Sequence, residues 1–268
     1  MKTKRILTAV ITFCISINLC AQSDAIYLMK DGRVFQKVLL SEIDSVVFYP
    51  YIHPADTFTD SRDGYMYQVV KIGNQFWMAE NLRYLPEVME VESSSSTTPC
   101  YYVYDYDGTN IEEAKASENY QRFGVLYNWP AAMAGEESSN SNPSGVQGIC
   151  PSGWHLPSQS EWDELVDHLG GDGVAGTKLK ATNDTLYWLL NIYSTNESGF
   201  SARGAGRHEI SVSGPRFIGL RERTQFWSAT ITPSGIHAFI KSLNWNYPYA
   251  NTSPLEFHHG LSIRCVKD

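Results

Sequence analysis

The segment "SQSEWDELVDHLGG", residues 158–171, fixes its own local structure. Ser158 and Glu161 have the spacing of a capping box. The serine oxygen accepts from the Glu161 amide, and the Glu161 carboxylate accepts from the Ser158 amide. Trp162, Leu165, Val166 and Leu169 then recur at i, i+3, i+4 and i+7, which places them on one apolar face. Asp163, Glu164 and Asp167 turn to the other face, and Gly170-Gly171 end the helix. So short and one-sided a helix must lie against something else, and its surroundings read as β structure.

"YMYQVVKIGNQFWM" offers two strands about the turn Gly73-Asn74, with Val69, Val70, Ile72, Phe76 and Trp77 near a core. "FGVLYNWPAAM" reads as a strand or turn running into a short helix, and "AGTKLKAT" as a turn. "GFSARGAGRHEI", "FIGLRERTQFWSAT", "IHAFIKSLNW" and "LSIRCVKD" read as strands. Residues 91–99 and 134–145 are polar loops. The order is strands, one or two helices, then many strands. It predicts an α+β fold with antiparallel strands and long irregular loops.

The N-terminus is organised differently. Lys2, Lys4 and Arg5 precede an apolar run from Ile6 to Leu19, and small or polar residues follow at Ala21-Gln22-Ser23. This is the pattern of a signal peptide over residues 1–21, with the rest secreted or held at the outer cell surface. Lipid attachment at Cys20 is the rival, with Leu19 where such signals want a small residue. Residues 26–50 read as a small β unit of three strands, its first turn at Asp31-Gly32. Residues 51–56 read as a linker and 57–268 as the main domain. Loss of the three basic leader residues leaves 18 Lys and Arg against 29 Asp and Glu, net −11. So acidic an exported chain excludes nucleic acid and anionic lipid as favoured partners.

Six blocks stand in order: "DGYMYQVVKIGNQFWMAENLRY", "FGVLYNWPAAM", "GICPSGWHLPSQSEWDELVDHLGG", "GFSARGAGRH", "TQFWSAT" and "GLSIRCVKD". Together they resemble the Fibrobacter succinogenes major paralogous domain, over roughly residues 57–268. Residues 26–50 resemble the short β-meanders that precede surface domains in Bacteroidetes proteins. The resemblance implies export and a C-type-lectin-like fold, in the branch shared with formylglycine-generating enzymes. It implies no activity. Cys150 and Cys265 both fall inside matching blocks, and the resemblance implies a bridge between them. Cys100 is expected to lack a partner, because Tyr120, Gln121 and Arg122 stand where family members often carry a second cysteine.

No G-x-S-x-G elbow or other spaced catalytic motif is present. Asp163, Glu164 and Asp167 read as the solvated face of a helix. "DYDGTN", Asp105 to Asn110, falls short of an EF-hand loop, with Val103 and Ala114 where acids are required. No cofactor is expected, calcium on a loop of another type being the one left open. Trp154 is expected to pack under the helix and His155 to bond a nearby loop, while His258-His259 reads as a polar turn.

The best binding candidate is "NWNYPYANTSPLEFHHG", Asn244 to Gly260. Trp245, Tyr247, Tyr249 and Phe257 stand there among Asn244, Asn246 and further polar residues, between two expected strands. Aromatic faces stack on sugar rings and amides read hydroxyls, while protein partners also favour Trp and Tyr. The other reading is that these rings fill the domain's own core. Arg203 and Arg207 are placed to flank the site or to cover surface. The expected function is a non-catalytic surface binding domain for a glycan or a surface protein. A structural or adhesive subunit is the alternative, and a degenerate formylglycine-generating-type oxidase the third.

Overall fold

The computed structural model describes residues 25–30, 33–39, 41 and 56–268, apart from 183, 191 and 213. The expected leader, the turn Asp31-Gly32, the third strand of the small unit and nearly all of the linker lie outside the described residues. The chain divides into two units, residues 1–51 and 52–268. In the first, β1 (Ala25–Lys30) and β2 (Arg33–Leu39) pair antiparallel, from Ala25 opposite Leu39 to Lys30 opposite Arg33.

The second unit is mixed α+β. One five-stranded sheet has the order β3-β4-β5-β14-β8, all pairs antiparallel. Its members are β3 (Asp56–Thr59), β4 (Met66–Ile72), β5 (Gln75–Met78), β8 (Trp154–His155) and β14 (Val266–Lys267). The other five-stranded sheet has the order β10-β9-β11-β12-β13. It contains β9 (Ala205–Ser211), β10 (Gly214–Leu220), β11 (Arg223–Ile231), β12 (His237–Asn244) and β13 (Asn251–Glu256). Its pairs are antiparallel except β9 with β11, which meet in parallel at Gly206 and Thr224. A two-stranded ribbon joins β6 (Tyr101–Tyr102) to β7 (Leu126–Tyr127).

The first sheet is buried on both faces. Val69 and Met78 enter a cluster with Trp154 and Trp227, whereas their neighbours Val70 and Trp77 enter a second one with Trp162, Leu165 and Val166. That is why Val69 and Val70, on opposite faces of the strand, are both apolar rather than alternating with a polar residue. The helix 159–168 (Gln159–His168) covers the second face. Ser158 and Glu161 make both bonds of the capping box. Trp162 lies 4.6 Å from Trp77 and stacks on Phe226 at 5.5 Å.

Six helices stand among the described residues, where the sequence predicts one or two. The first three are α1 (Ile111–Ala116), α2 (Glu118–Phe123) and α3 (Trp129–Met133); the helix just described is α4. The last two are α5 (Asp172–Leu179) and α6 (Asp184–Tyr187). Side chains start the short ones: Asn110 caps α1, Ser117 ends α1 and caps α2, and Asn128 caps α3. Helix α5 replaces the turn expected at "AGTKLKAT". Its N-cap is Gly171, without a side-chain bond, and it carries two glycines of its own, so no start signal marks it. Two further expectations are corrected. "FIGLRERTQFWSAT" is two strands broken at Arg221-Glu222, where Arg221 takes a φ of 62°. Strand β13 occupies Asn251–Glu256, inside the segment read as a loop.

The bridge implied for Cys150 and Cys265 is present. It ties the loop before β8 to the residue preceding β14, with 6.0 Å between the Cα atoms. Cys100 is free and buried. Among the described residues no helix is long and apolar enough to cross a membrane.

Candidate functional site

Residues 244–250 leave the end of β12 and return in β13. The aromatic set expected there divides. Trp245 is half-buried and packs on the cluster around α4, and its backbone N–H donates to the Glu222 carbonyl at 2.8 Å. Tyr247 and Tyr249 face out, 49% and 45% exposed. Their rings stack on each other with centroids 5.8 Å apart and planes within 15°. Asn244 and Asn246 flank Trp245 and are half-buried.

The support beneath this pair comes from a residue that the sequence reading passed over. Lys180 is fully buried, and its Nζ donates to the carbonyls of Asn244 at 2.7 Å and Tyr247 at 2.6 Å. Burial pushes its pKa down to about 8. Helix α5 adds two backbone bonds: Thr177 N–H donates to the Pro248 carbonyl, and Ala250 N–H to that of Asp172. The platform is therefore held by its main chain, leaving both phenol rings free.

Arg207 and Phe257 do not join it. Arg207 pairs with Glu209 at 2.6 Å and donates to Gln225, and Phe257 stacks on Trp129 at 4.5 Å. His258 and His259 form a turn. His259 lies 3.3 Å from Glu256, and burial first, then His258 and Arg207, push its pKa down to about 4.

A recess lies elsewhere in the domain. A cavity of about 180 Å³ is lined by Gln68, Val70, Ala79, Glu80, Asn196, Gly199, Ser201 and Arg203. Glu80 is 8% exposed and accepts from Tyr65 Oη at 2.9 Å and the Gln68 N–H at 3.3 Å, with Arg83 3.3 Å away. Burial first, then Glu80, push the Tyr65 phenol up to about 12. Asn196 and Ser201 both take left-handed backbone, φ 51° and 55°. They hold each other: Asn196 Nδ2 donates to Ser201 Oγ at 2.9 Å, and Ser201 N–H to Asn196 Oδ1 at 2.8 Å. Behind them Arg264, fully buried, donates to the carbonyls of Met78, Phe200 and Ser201 and to Asn81 Oδ1. Burial lowers its pKa well below the usual guanidinium range.

The model of the Fibrobacter succinogenes major domain matches residues 70–267. The chain belongs to this family. No curated protein and no solved structure matches the chain.

The matched span of the Fibrobacter succinogenes major domain includes the disulfide, the tyrosine pair and every lining residue of the 180 Å³ cavity except Gln68. Within it the remaining candidates are committed to structure. His155 does not bond a loop. It sits between Glu161 and Asp268, Nε2 at 2.6 Å and Nδ1 at 2.7 Å from their carboxylates. Nor does Trp154 pack under α4: it lies in the opposite cluster, 5.3 Å from Phe58. Asp163, Glu164 and Asp167 border an open groove of about 560 Å³ between α4 and the β4–β5 turn. There Gln159 donates to Asp163 and Asn142 to Glu164. In "DYDGTN", Asp107 accepts from the Val91 N–H and Asn110 caps α1. Among the described residues, no group of three or more His, Cys, Asp and Glu is arranged to hold a metal ion.

Proposed function

We propose that residues 56–268 form a non-catalytic binding domain working outside the cell, and that Tyr247 and Tyr249 are its contact surface for a glycan. The observation that carries this reading is the pairing of two exposed, mutually parallel phenol rings on a loop fixed by buried main-chain bonds. Pyranose rings present C–H faces that rest on such rings, and an ordered platform loses little entropy on binding. The basic start and apolar run of residues 2–19 support export, by secretion or with a lipid at Cys20. The six-block resemblance, together with the mixed, mostly antiparallel architecture, supports the C-type-lectin-like assignment. Bonding of Cys150 to Cys265 speaks against an oxidase, which would need reactive thiols. The test is a glycan array with the full chain. Binding is expected, and Tyr247→Ala with Tyr249→Ala should abolish it at unchanged melting temperature. Signals that survive the double substitution would remove the tyrosines from the site.

A second reading, a subunit of a surface assembly, is favoured by one observation. Leu186, Leu189, Leu190, Ile192 and Tyr193 are all exposed. The Tyr193 ring lies 6.0 Å from Lys180 Nζ, which also holds Tyr247. Concentration-dependent association in sedimentation, lost in Leu190→Ser with Ile192→Ser, would select this reading over the first.

A further inference from the structure

The polar loop 91–99 and the turn 257–260 meet at two buried histidines. His208, on β9, is fully buried. Its ring stacks on Tyr102 with centroids 4.0 Å apart and meets Phe217 edge-on at 5.5 Å. Its Nε2 lies 2.8 Å from the Val91 carbonyl oxygen. A carbonyl only accepts, so Nε2 carries the proton and Nδ1 is a bare acceptor. That Nδ1 is buried and has no partner among the described residues. A second proton would place a charge and an unpaired donor where neither water nor an acceptor reaches them. His259, 6% exposed, repeats the arrangement. Its Nε2 lies 3.3 Å from the Glu256 carboxylate, and its Nδ1 is buried without a partner.

The surrounding charges do not offset this. The His258 ring lies 4.2 Å from that of His259 and disfavours a proton on either histidine. Arg207 of β9 disfavours a proton on His259. Glu209 favours one on His208, but Arg207 and Arg216 of β10 already hold it at 2.6 and 2.7 Å. Glu256 favours one on His259, but it is half exposed and also faces His237 at 3.8 Å. On the loop side, Asp107 accepts from the Val91 N–H, and Glu90 and Glu92 are exposed. Burial is the first cause in both histidines: it pushes the pKa of His208 down, and that of His259 down to about 4.

These rings fasten two segments to β9. The main chains of His208 and Gly260 bond each other in both directions at 3.0 Å. The turn sits so close to Tyr102 that a Cβ on Gly260 would stand 2.8 Å from its ring. Tyr102 Oη in turn donates to the Ser93 carbonyl at 2.7 Å. The first part of the loop is therefore held at Val91 and Ser93 by one stacked pair of rings. Its later part is held separately, by Asn128 at the carbonyls of Ser95 and Thr98.

We infer that His208 and His259 form an acid-sensitive latch: protonation releases residues 91–93 and the turn 257–260 from β9 while the central strands stay paired. The neutral imidazoles favour the closed form. Closure is complete above about pH 6.5, where a solvated histidine loses its proton, and weakens as pH falls toward the lower values of the closed state.

Amide hydrogen exchange of the full chain at about pH 7.5 and about pH 5, corrected for the intrinsic rate, tests the latch. The opening equilibrium read at Val91, Ser93, His208 and Gly260 should rise by roughly tenfold or more in acid. Amides of β11 and β12 should keep their protection. His208→Gln retains an N–H for the Val91 carbonyl and cannot titrate, so it should reduce the acid response, and combined with His259→Gln it should abolish it. His259→Gln alone leaves the Val91 bond untouched and should also reduce the response, which keeps the test open if the other variants do not fold. Unchanged protection of the four amides in acid, an equal rise in β11 and β12, or a full acid response in His259→Gln would overturn the inference.

Discussion

The carbonyl oxygen of Tyr249 lies so close to Gly176 that a Cβ at that glycine would stand 2.1 Å from it. The Pro248 carbonyl oxygen would be 2.6 Å from the same atom. Helix α5 and the tyrosine loop therefore meet backbone to backbone, which only glycine permits. Helix propensity alone would favour Gly176→Ala by about 1 kcal/mol. The contact reverses that sign, because neither carbonyl belongs to a flexible side chain. Gly176→Ala should lower the melting temperature and weaken any ligand bound at Tyr247 and Tyr249. A rise in melting temperature would show that the contact relaxes freely.

This contact also shows what the sequence could and could not convey. Helix α4 was legible because its cap, apolar face and stop lie within fourteen consecutive residues, and each signal is local. The β4–β5 hairpin was legible for the same reason, with Gly73 at its turn. Helix α5 carries Gly173 and Gly176, which count against a helix, and the packing that requires Gly176 lies some seventy residues further on in the chain. Lys180 looked like one charge in a polar turn, although it stands beneath the tyrosine platform. The Glu80–Arg203 cavity left no sequence signal, since its wall joins residues 68–80 to residues 196–203. The tyrosines were visible as aromatic residues in a polar segment. Which of the rings turned outward was a matter of tertiary packing.

Lys180→Met removes the one ammonium that donates to the carbonyls of both Asn244 and Tyr247. Two carbonyls left unpaired cost roughly 1–3 kcal/mol each. Removing a buried ammonium without a carboxylate partner offsets much of that. The net change in stability should therefore be small, while the loop loses its anchor. Affinity for any ligand bound at Tyr247 and Tyr249 should fall by about tenfold with the melting temperature nearly unchanged. A melting temperature that collapses in step with binding would make Lys180 a support of the whole fold.

Cys265→Ser should lower unfolding free energy by about 4–5 kcal/mol on the chain-entropy treatment of a closed loop this long. The bond spans 115 positions and both cysteines are fully buried. Urea denaturation of the variant and of the reduced wild type should agree. A loss below about 1 kcal/mol would mean that the unfolded chain gains little freedom when the bridge is absent.

Arg264→Lys keeps the charge and loses the planar fork. The guanidinium reaches four acceptors and lies 4.4 Å from the centre of the Phe200 ring. A lysine ammonium has three donors and cannot span the same set. The substitution should destabilise by about 3 kcal/mol and speed proteolysis within residues 196–203, as expected when a buried charged group loses partners. Resistance equal to wild type would show that Asn196 and Ser201 hold the loop unaided.

His155 should give the protein a stability that declines on the alkaline side. Burial alone pushes its pKa down, but the hydrogen bond and charge of Glu161, and then those of Asp268, outweigh burial and leave it raised. The folded state thus keeps its proton to a higher pH than the unfolded chain, where histidine titrates near 6.5. The contribution is fully present below about pH 6.5 and is lost as pH rises through the folded pKa. His259 works in the opposite direction. Its pKa of about 4, set mainly by burial, makes the unfolded chain the better proton binder between about pH 4 and 6.5. Stability from that group is present above this window and is lost as the solution is acidified through it. In urea titrations from pH 4 to 9, His155→Gln should flatten the alkaline limb and spare the acid limb, and His259→Gln should do the reverse. An alkaline limb unchanged in His155→Gln would mean that the imidazole between Glu161 and Asp268 does not hold its proton more tightly folded than unfolded.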